Sequence, residues 1–151
     1  MVSAELLRRY PFFGSLTDDQ LKRIASISDE VKLEADQVIF EECDPADTLF
    51  LLEEGSVELF YRFLKAAAPP KQFYVGDINP GEVFGISSLI EPYALNATAK
   101  ASKPGKAIRI RAEALRQLME KDPVLGYRLM IQTTRTTMER LAALRVQFAA
   151  Q

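Results

Sequence analysis

Apolar and polar positions change their spacing twice along the chain. Near the N-terminus the spacing is helical. Ser3 is placed to cap a short helix over residues 4–10, which Pro11 ends. Thr17 opens a second helix, and Gln20 three residues later completes a capping box. Leu16 and Leu21 stand at the two positions of a hydrophobic staple, and Leu21, Ile24 and Ala25 form one apolar face.

From about residue 29 to residue 111 the period shortens to two. Val31 and Leu33, Val38 and Phe40, Leu49 and Leu51, and Val57, Leu59 and Tyr61 alternate with polar neighbours, and Phe73 and Val75 mark a further strand. Glu54-Gly55 sits between two of these runs with the spacing of a hairpin. Asn79-Pro80-Gly81-Glu82 predicts a type II turn, because proline presets φ at its second position and glycine accepts positive φ at its third. Lys103-Pro104-Gly105-Lys106 repeats that chemistry before Ile108 and Ile110. Residues 64–71, LKAAAPPK, read as a surface loop or frayed strand end. Short strands separated by turn signals at this interval predict a sandwich or jelly roll.

The last third returns to helical spacing. Leu115, Leu118 and Met119 share a face; Asp122-Pro123 interrupts, and proline fits the first turn of a new helix reaching about Phe148. Tyr127, Met130, Thr134, Thr137, Leu141, Leu144 and Phe148 recur at alternating steps of three and four, a heptad-like seam. Two readings stay open: a helix packed on its own sheet, or a helix that pairs with a second copy and also touches a ligand pocket. The whole is predicted as one domain, residues 1–151: N-terminal helices over 1–28, a β-roll over 29–111 and C-terminal helices over 112–151. The fold class is mainly β with flanking helices, an antiparallel jelly-roll barrel followed by a long C-terminal helix.

Composition narrows the chemistry. The 151 residues carry a net charge of −2, without the basic excess of a non-specific nucleic-acid binder. There is no histidine and one cysteine, Cys43. Metal sites of the His/Cys type, Ser-His-Asp and Cys-His nucleophile systems, and a cupin-type metal centre therefore lack their ligands. Neither a P-loop nor a Gly-x-Ser-x-Gly elbow occurs. A single cysteine, no signal peptide and no long apolar run predict a cytoplasmic, non-enzymatic protein without a membrane span.

Residues 44–61, DPADTLFLLEEGSVELFY, and residues 78–101, INPGEVFGISSLIEPYALNATAKA, together resemble the cyclic-nucleotide-binding domain of catabolite-activator-type regulators and protein-kinase regulatory subunits. PFFGSLTDDQLKRIA, residues 11–25, resembles the helix that opens that domain. The resemblance runs from about Leu7 to Leu144. It implies an eight-stranded antiparallel jelly roll and a regulatory, ligand-sensing role. It also implies a phosphate-binding cassette at Gly85, Ile86, Ser87, Ser88, Leu95, Asn96, Ala97 and Thr98, with base-side contacts from Thr137, Arg140 and Leu141 on the last helix.

Two cassette positions depart from the pattern. The family's carboxylate directly follows the Phe-Gly pair, where this chain has Ile86; its arginine stands where this chain has Leu95. Hydrogen bonds to charged groups contribute roughly 1.5–3 kcal/mol each, so losing both costs on the order of 3–6 kcal/mol. That is about two to four decades of affinity. The expectation is a sensor with weak or lost cAMP and cGMP binding. No cofactor is assigned with certainty; a cyclic nucleotide or another small ligand is the candidate. The alternatives are a genuine nucleotide binder in which Lys100 or Arg140 replaces the arginine, and the sensor half of a truncated transcription regulator.

Other residues near the cassette carry plainer readings. Ser87 and Ser88 suit N-capping as well as anion contact. Asn96, Thr98 and Lys100 share strand parity, which fits a pocket wall or a solvated face. Tyr93 suits packing, Glu91-Pro92 a turn and Arg140 a surface charge. The hydroxyls of Thr133, Thr134, Thr136 and Thr137 can serve a ligand or their own backbone. The chain carries no DNA-reading element of its own, and a homodimer through residues 124–148 is the expected partner.

Overall fold

The Ser3 side chain accepts the Leu6 N–H and starts helix α1 (Ala4–Arg8), which stops two residues earlier than the spacing predicts. A single 3₁₀ turn, Pro11–Phe13, follows. Helix α2 (Asp18–Ser26) opens on the reciprocal Thr17–Gln20 capping box, with Gln20 N–H to Thr17 Oγ1 at 3.2 Å and Thr17 N–H to Gln20 Oε1 at 2.9 Å. The computed structural model describes residues 1–62 and 72–150, so the loop read at 64–71 lies outside the described residues.

Six antiparallel strands follow: β1 (Ser28–Leu33), β2 (Val38–Phe40), β3 (Thr48–Arg62), β4 (Gln72–Ile78), β5 (Val83–Phe84) and β6 (Thr98–Arg111). Their order is β1-β6-β3-β4, with β2 also on β6 and β5 on β3. The fold is the jelly roll that the resemblance implies, with two corrections. Six strands are formed among the described residues rather than eight, and the sheet is not closed into a barrel.

The strand count has a physical cause. The turns expected at Gly55 and at Pro104-Gly105 are bends inside β3 and β6, which run on through them. The two strands pair along most of their length, and the register shifts between Leu52, Glu54, Ser56 and Val57. Gly55 has φ +101°, and a Cβ on Gly105 would meet the Glu54 carbonyl oxygen at 2.1 Å. Glycine here permits two backbones to touch at a bulge, which lets a long strand bend without ending. The turn at Asn79-Pro80-Gly81-Glu82 forms as predicted, with Gly81 at φ +91° and the Glu82 N–H donating to the Asn79 carbonyl at 3.0 Å.

Helix α3 (Ala112–Lys121) leads to Asp122, whose side chain accepts the Leu125 N–H and caps helix α4 (Pro123–Ala149). Two cores result. One packs Leu7, Phe13, Leu21 and Ile24 of the N-terminal segment against Leu49, Ile108, Leu115 and Leu129. The other lies within the roll, where Leu33, Leu52, Val57, Ile78 and Phe84 close on Ala99, Ala101 and Ala107. Phe84 stacks on Phe50 at 4.9 Å between ring centres, fixing the strand that enters the cassette. No helix among the described residues is long and apolar enough to cross a membrane.

Candidate functional site

The cassette begins where β5 ends. Gly85 takes φ +74°, and a Cβ there would lie 2.9 Å from the Thr48 carbonyl oxygen. Only a residue without a side chain lets the chain turn at that point into the short 3₁₀ helix Ile86–Leu89. Gly85 itself is the residue before this helix, so neither serine caps it. Ser88 is fully buried, and its hydroxyl has no hydrogen-bond partner.

α4 lies across from the cassette, and the two enclose a cavity of about 340 Å³. Ile86, Ser87, Ile90, Glu91 and Asn96 form one wall; Met130, Thr133, Thr134 and Thr137 form the other. The Thr133 hydroxyl donates to the Leu129 carbonyl at 2.8 Å and that of Thr137 to the Thr133 carbonyl at 2.9 Å. Both keep lone pairs for a ligand but spend their protons on the helix. Among the described residues lining this cavity there is no lysine or arginine, and Glu91 is its one charged group.

The structure thus brings Ile86, Ser87, Asn96 and Thr137 together. Leu95, only 6% exposed, and Ala97 are buried and take no part in the wall. Leu95 instead fixes the loop by its backbone, donating to the Asp44 carbonyl at 2.8 Å and accepting from Cys43 N–H at 2.7 Å. Thr98 is also buried, and its hydroxyl accepts the Glu42 N–H at 3.0 Å. Lys100 lies 3.9 Å from Asp36, away from the wall. Leu141 is half exposed and does not line the cavity.

Two arginines anchor this region: Arg116 is not legible in the sequence, and Arg140 is named there as a base-side contact but favoured as a surface charge. Arg140, read as a surface charge, turns inward and donates to the carbonyl of Val83, two residues before Gly85. Burial pulls its guanidinium below the ordinary value, against the opposing charges of Glu82, Tyr61 and Glu139. Arg116 of α3 donates to the Ser88 carbonyl and stands 3.9 Å above the Tyr93 ring, tying the cassette loop to α3. Tyr93 therefore packs under a cation. The one sequence signal for Arg116 is its place one residue past buried Leu115 on an amphipathic helix; for Arg140 it is the resemblance, not the spacing.

The sequence profile of the cyclic nucleotide-binding domain matches residues 30–122, more than half of the chain. A Geobacter metallireducens GS-15 protein, named for cyclic nucleotide binding, has a crystal structure that superposes with a TM-score of 0.82. It is 43% identical, with 93% of this chain and 99% of that one covered. An uncharacterized NTE family protein of Mycobacterium tuberculosis H37Rv is 28% identical over 79% of this chain and 19% of its own length. The cAMP-dependent protein kinase regulatory subunit of Emericella nidulans is 26% identical over 75% of this chain and 26% of its own. The chain thus spans between 19% and 30% of the length of the curated relatives it matches. Strand order, the Gly85 turn and this similarity lead to one assignment: the chain belongs to the cyclic nucleotide-binding domain family, a family of regulatory domains.

Proposed function

We propose that this domain, residues 1–151, is a cytoplasmic regulatory module that binds a small ligand between cassette and α4, with weak or lost affinity for cAMP and cGMP. It works by binding, not by catalysis. The observation that supports this reading is the cavity wall, which offers hydroxyls, an amide, apolar groups and one carboxylate but no cation among its described residues. A cyclic phosphate entering it would leave water without a charge partner, and apolar Ile86 does not offset that desolvation. A small ligand of lower charge suits the same wall. The domain acts within a larger regulator or as a homodimer through residues 124–148, and it reads no nucleic acid itself.

A second reading keeps the nucleotide. Arg140 donates to the Val83 carbonyl of the strand that enters the cassette, and an anion at Gly85–Ser87 would compete for it. Lys100 has no such position. Calorimetric titration with cAMP and cGMP to millimolar concentration separates the readings. The expected result is a Kd in the millimolar range or no heat. Micromolar binding that Arg140→Ala abolishes would establish the second reading, and micromolar binding that survives this substitution would overturn both.

A further inference from the structure

The cavity between cassette and α4 has the opposite charge from an anion site. Glu91 is its one charged group among the described residues, and no ion pair or hydrogen bond there engages the Glu91 side chain. The cation that reaches this loop is committed elsewhere. Arg116 of α3 donates to the Ser88 carbonyl and stacks 3.9 Å over the Tyr93 ring. Neither residue lines the cavity, and Arg116 borders a separate one beside Asp47, Thr48 and Glu113. Tyr93 is fixed two residues past Glu91, its N–H donating to the Ile90 carbonyl at 2.9 Å and its carbonyl accepting the Ala46 N–H at 2.8 Å. The loop is therefore held in place while its carboxylate stays unneutralised.

Hydrogen-bonding capacity points the same way. The hydroxyl protons of Thr133 and Thr137 go to the carbonyls of Leu129 and Thr133, so both side chains meet a ligand as acceptors. Ile86 and Ile90 on one wall and Met130 on the other supply apolar contact. An anion here faces a carboxylate and oxygen lone pairs, whereas an ammonium group meets the same atoms with N–H donors and opposite charge.

We propose that the ligand of this cavity is a small amphipathic monocation, a protonated amine on an apolar body, with its ammonium paired to Glu91. This deepens the small-ligand reading and rests on it. Glu91 is exposed, so it stands at the solvent edge of the cavity. The apolar body enters between Ile86 and Met130, and the charge stays near water, where its desolvation costs least.

The test is a charge series on one apolar body: 2-phenylethylammonium, 2-phenylethanol and 3-phenylpropanoate. Each is titrated at neutral pH and low salt into the ¹⁵N-labelled full chain, with the amides of Ser87, Asn96 and Thr134 as reporters. The ammonium should bind tightest and the carboxylate weakest. The ammonium should exceed the alcohol by about fivefold, the upper end for an exposed ion pair, and added salt should narrow the gap. In Glu91→Gln the gap should close with the affinity for the alcohol unchanged. Equal affinity for ammonium and alcohol overturns the proposal and leaves the small-ligand reading standing, as does a preference for the ammonium that survives Glu91→Gln. Tightest binding of the carboxylate overturns it in favour of an anion site. If none of the three shifts these amides, the small-ligand reading falls and the proposal with it.

Discussion

Ile86 and Leu95 differ in what they do, although both replace polar family residues. Ile86 faces the cavity and also packs against the N-terminal core. Leu95 is buried where the chain pairs with Asp44 and Cys43. Glutamate at 86 enters a wall that already meets solvent, whereas arginine at 95 must thread its stem past packed neighbours before its fork reaches an anion. The double variant Ile86→Glu, Leu95→Arg should still gain cyclic nucleotide affinity, by at least about tenfold for one restored charged hydrogen bond. Calorimetry on both single variants and the double checks this. No gain in the double variant would mean that the cavity does not seat a cyclic phosphate even when its charge partners are present. Ser88 adds a related point, since its orphan hydroxyl lies in the same cassette turn, buried and unused.

Elements show where local sequence chemistry is decisive and where it is ambiguous. The Thr17–Gln20 box, the Asn79–Glu82 turn and the Asp122-Pro123 start of α4 were legible because each is satisfied within four residues. Gly55 and Gly105 were read as turns because a hairpin and a bulged bend ask for the same residue. What separates them is the partner strand 50 residues away, which local chemistry does not contain. Arg140 was misplaced for a similar reason, since helical periodicity ranks faces by hydrophobicity and a charged residue turned inward runs against it. The crossing makes a sharp prediction. Gly105→Ala puts a Cβ against a backbone oxygen in the middle of the longest strand pair, and no flexible side chain is there to yield. It should cost about 3 kcal/mol or more, read as a lower urea midpoint. A midpoint within error of the wild type would mean that β3 and β6 separate at this bulge without loss.

For the molecule as a whole, α4 has two faces, and the heptad-like seam splits between them. Met130 and Thr137 turn to the cavity, while Tyr127, Met138 and Phe148 stand 68%, 66% and 79% exposed. Ile131 and Leu141 join the exposed set, so the outward residues recur in steps of four, seven, three and seven, displaced by one position from the predicted seam at 131 and 138. A helix with such a stripe gains by burying it, at roughly 1.5–3 kcal/mol for each large side chain fully covered. Met130 and Thr134 belong to the cavity wall and to the outward apolar groove alike. In the proposed homodimer, a ligand that moves these two residues would therefore alter the pairing surface directly, and pairing would alter ligand affinity by the same factor. Met138→Glu places like charges opposite each other in a paired seam yet does not line the cavity. It should weaken self-association at least about a hundredfold, with the fold intact by circular dichroism. Sedimentation of wild type and variant at micromolar concentration decides the matter. A monomeric wild type would remove the dimer and leave the exposed stripe for a different partner, whereas a dimer indifferent to Met138→Glu would place the interface on another face and break the link between pairing and the cavity.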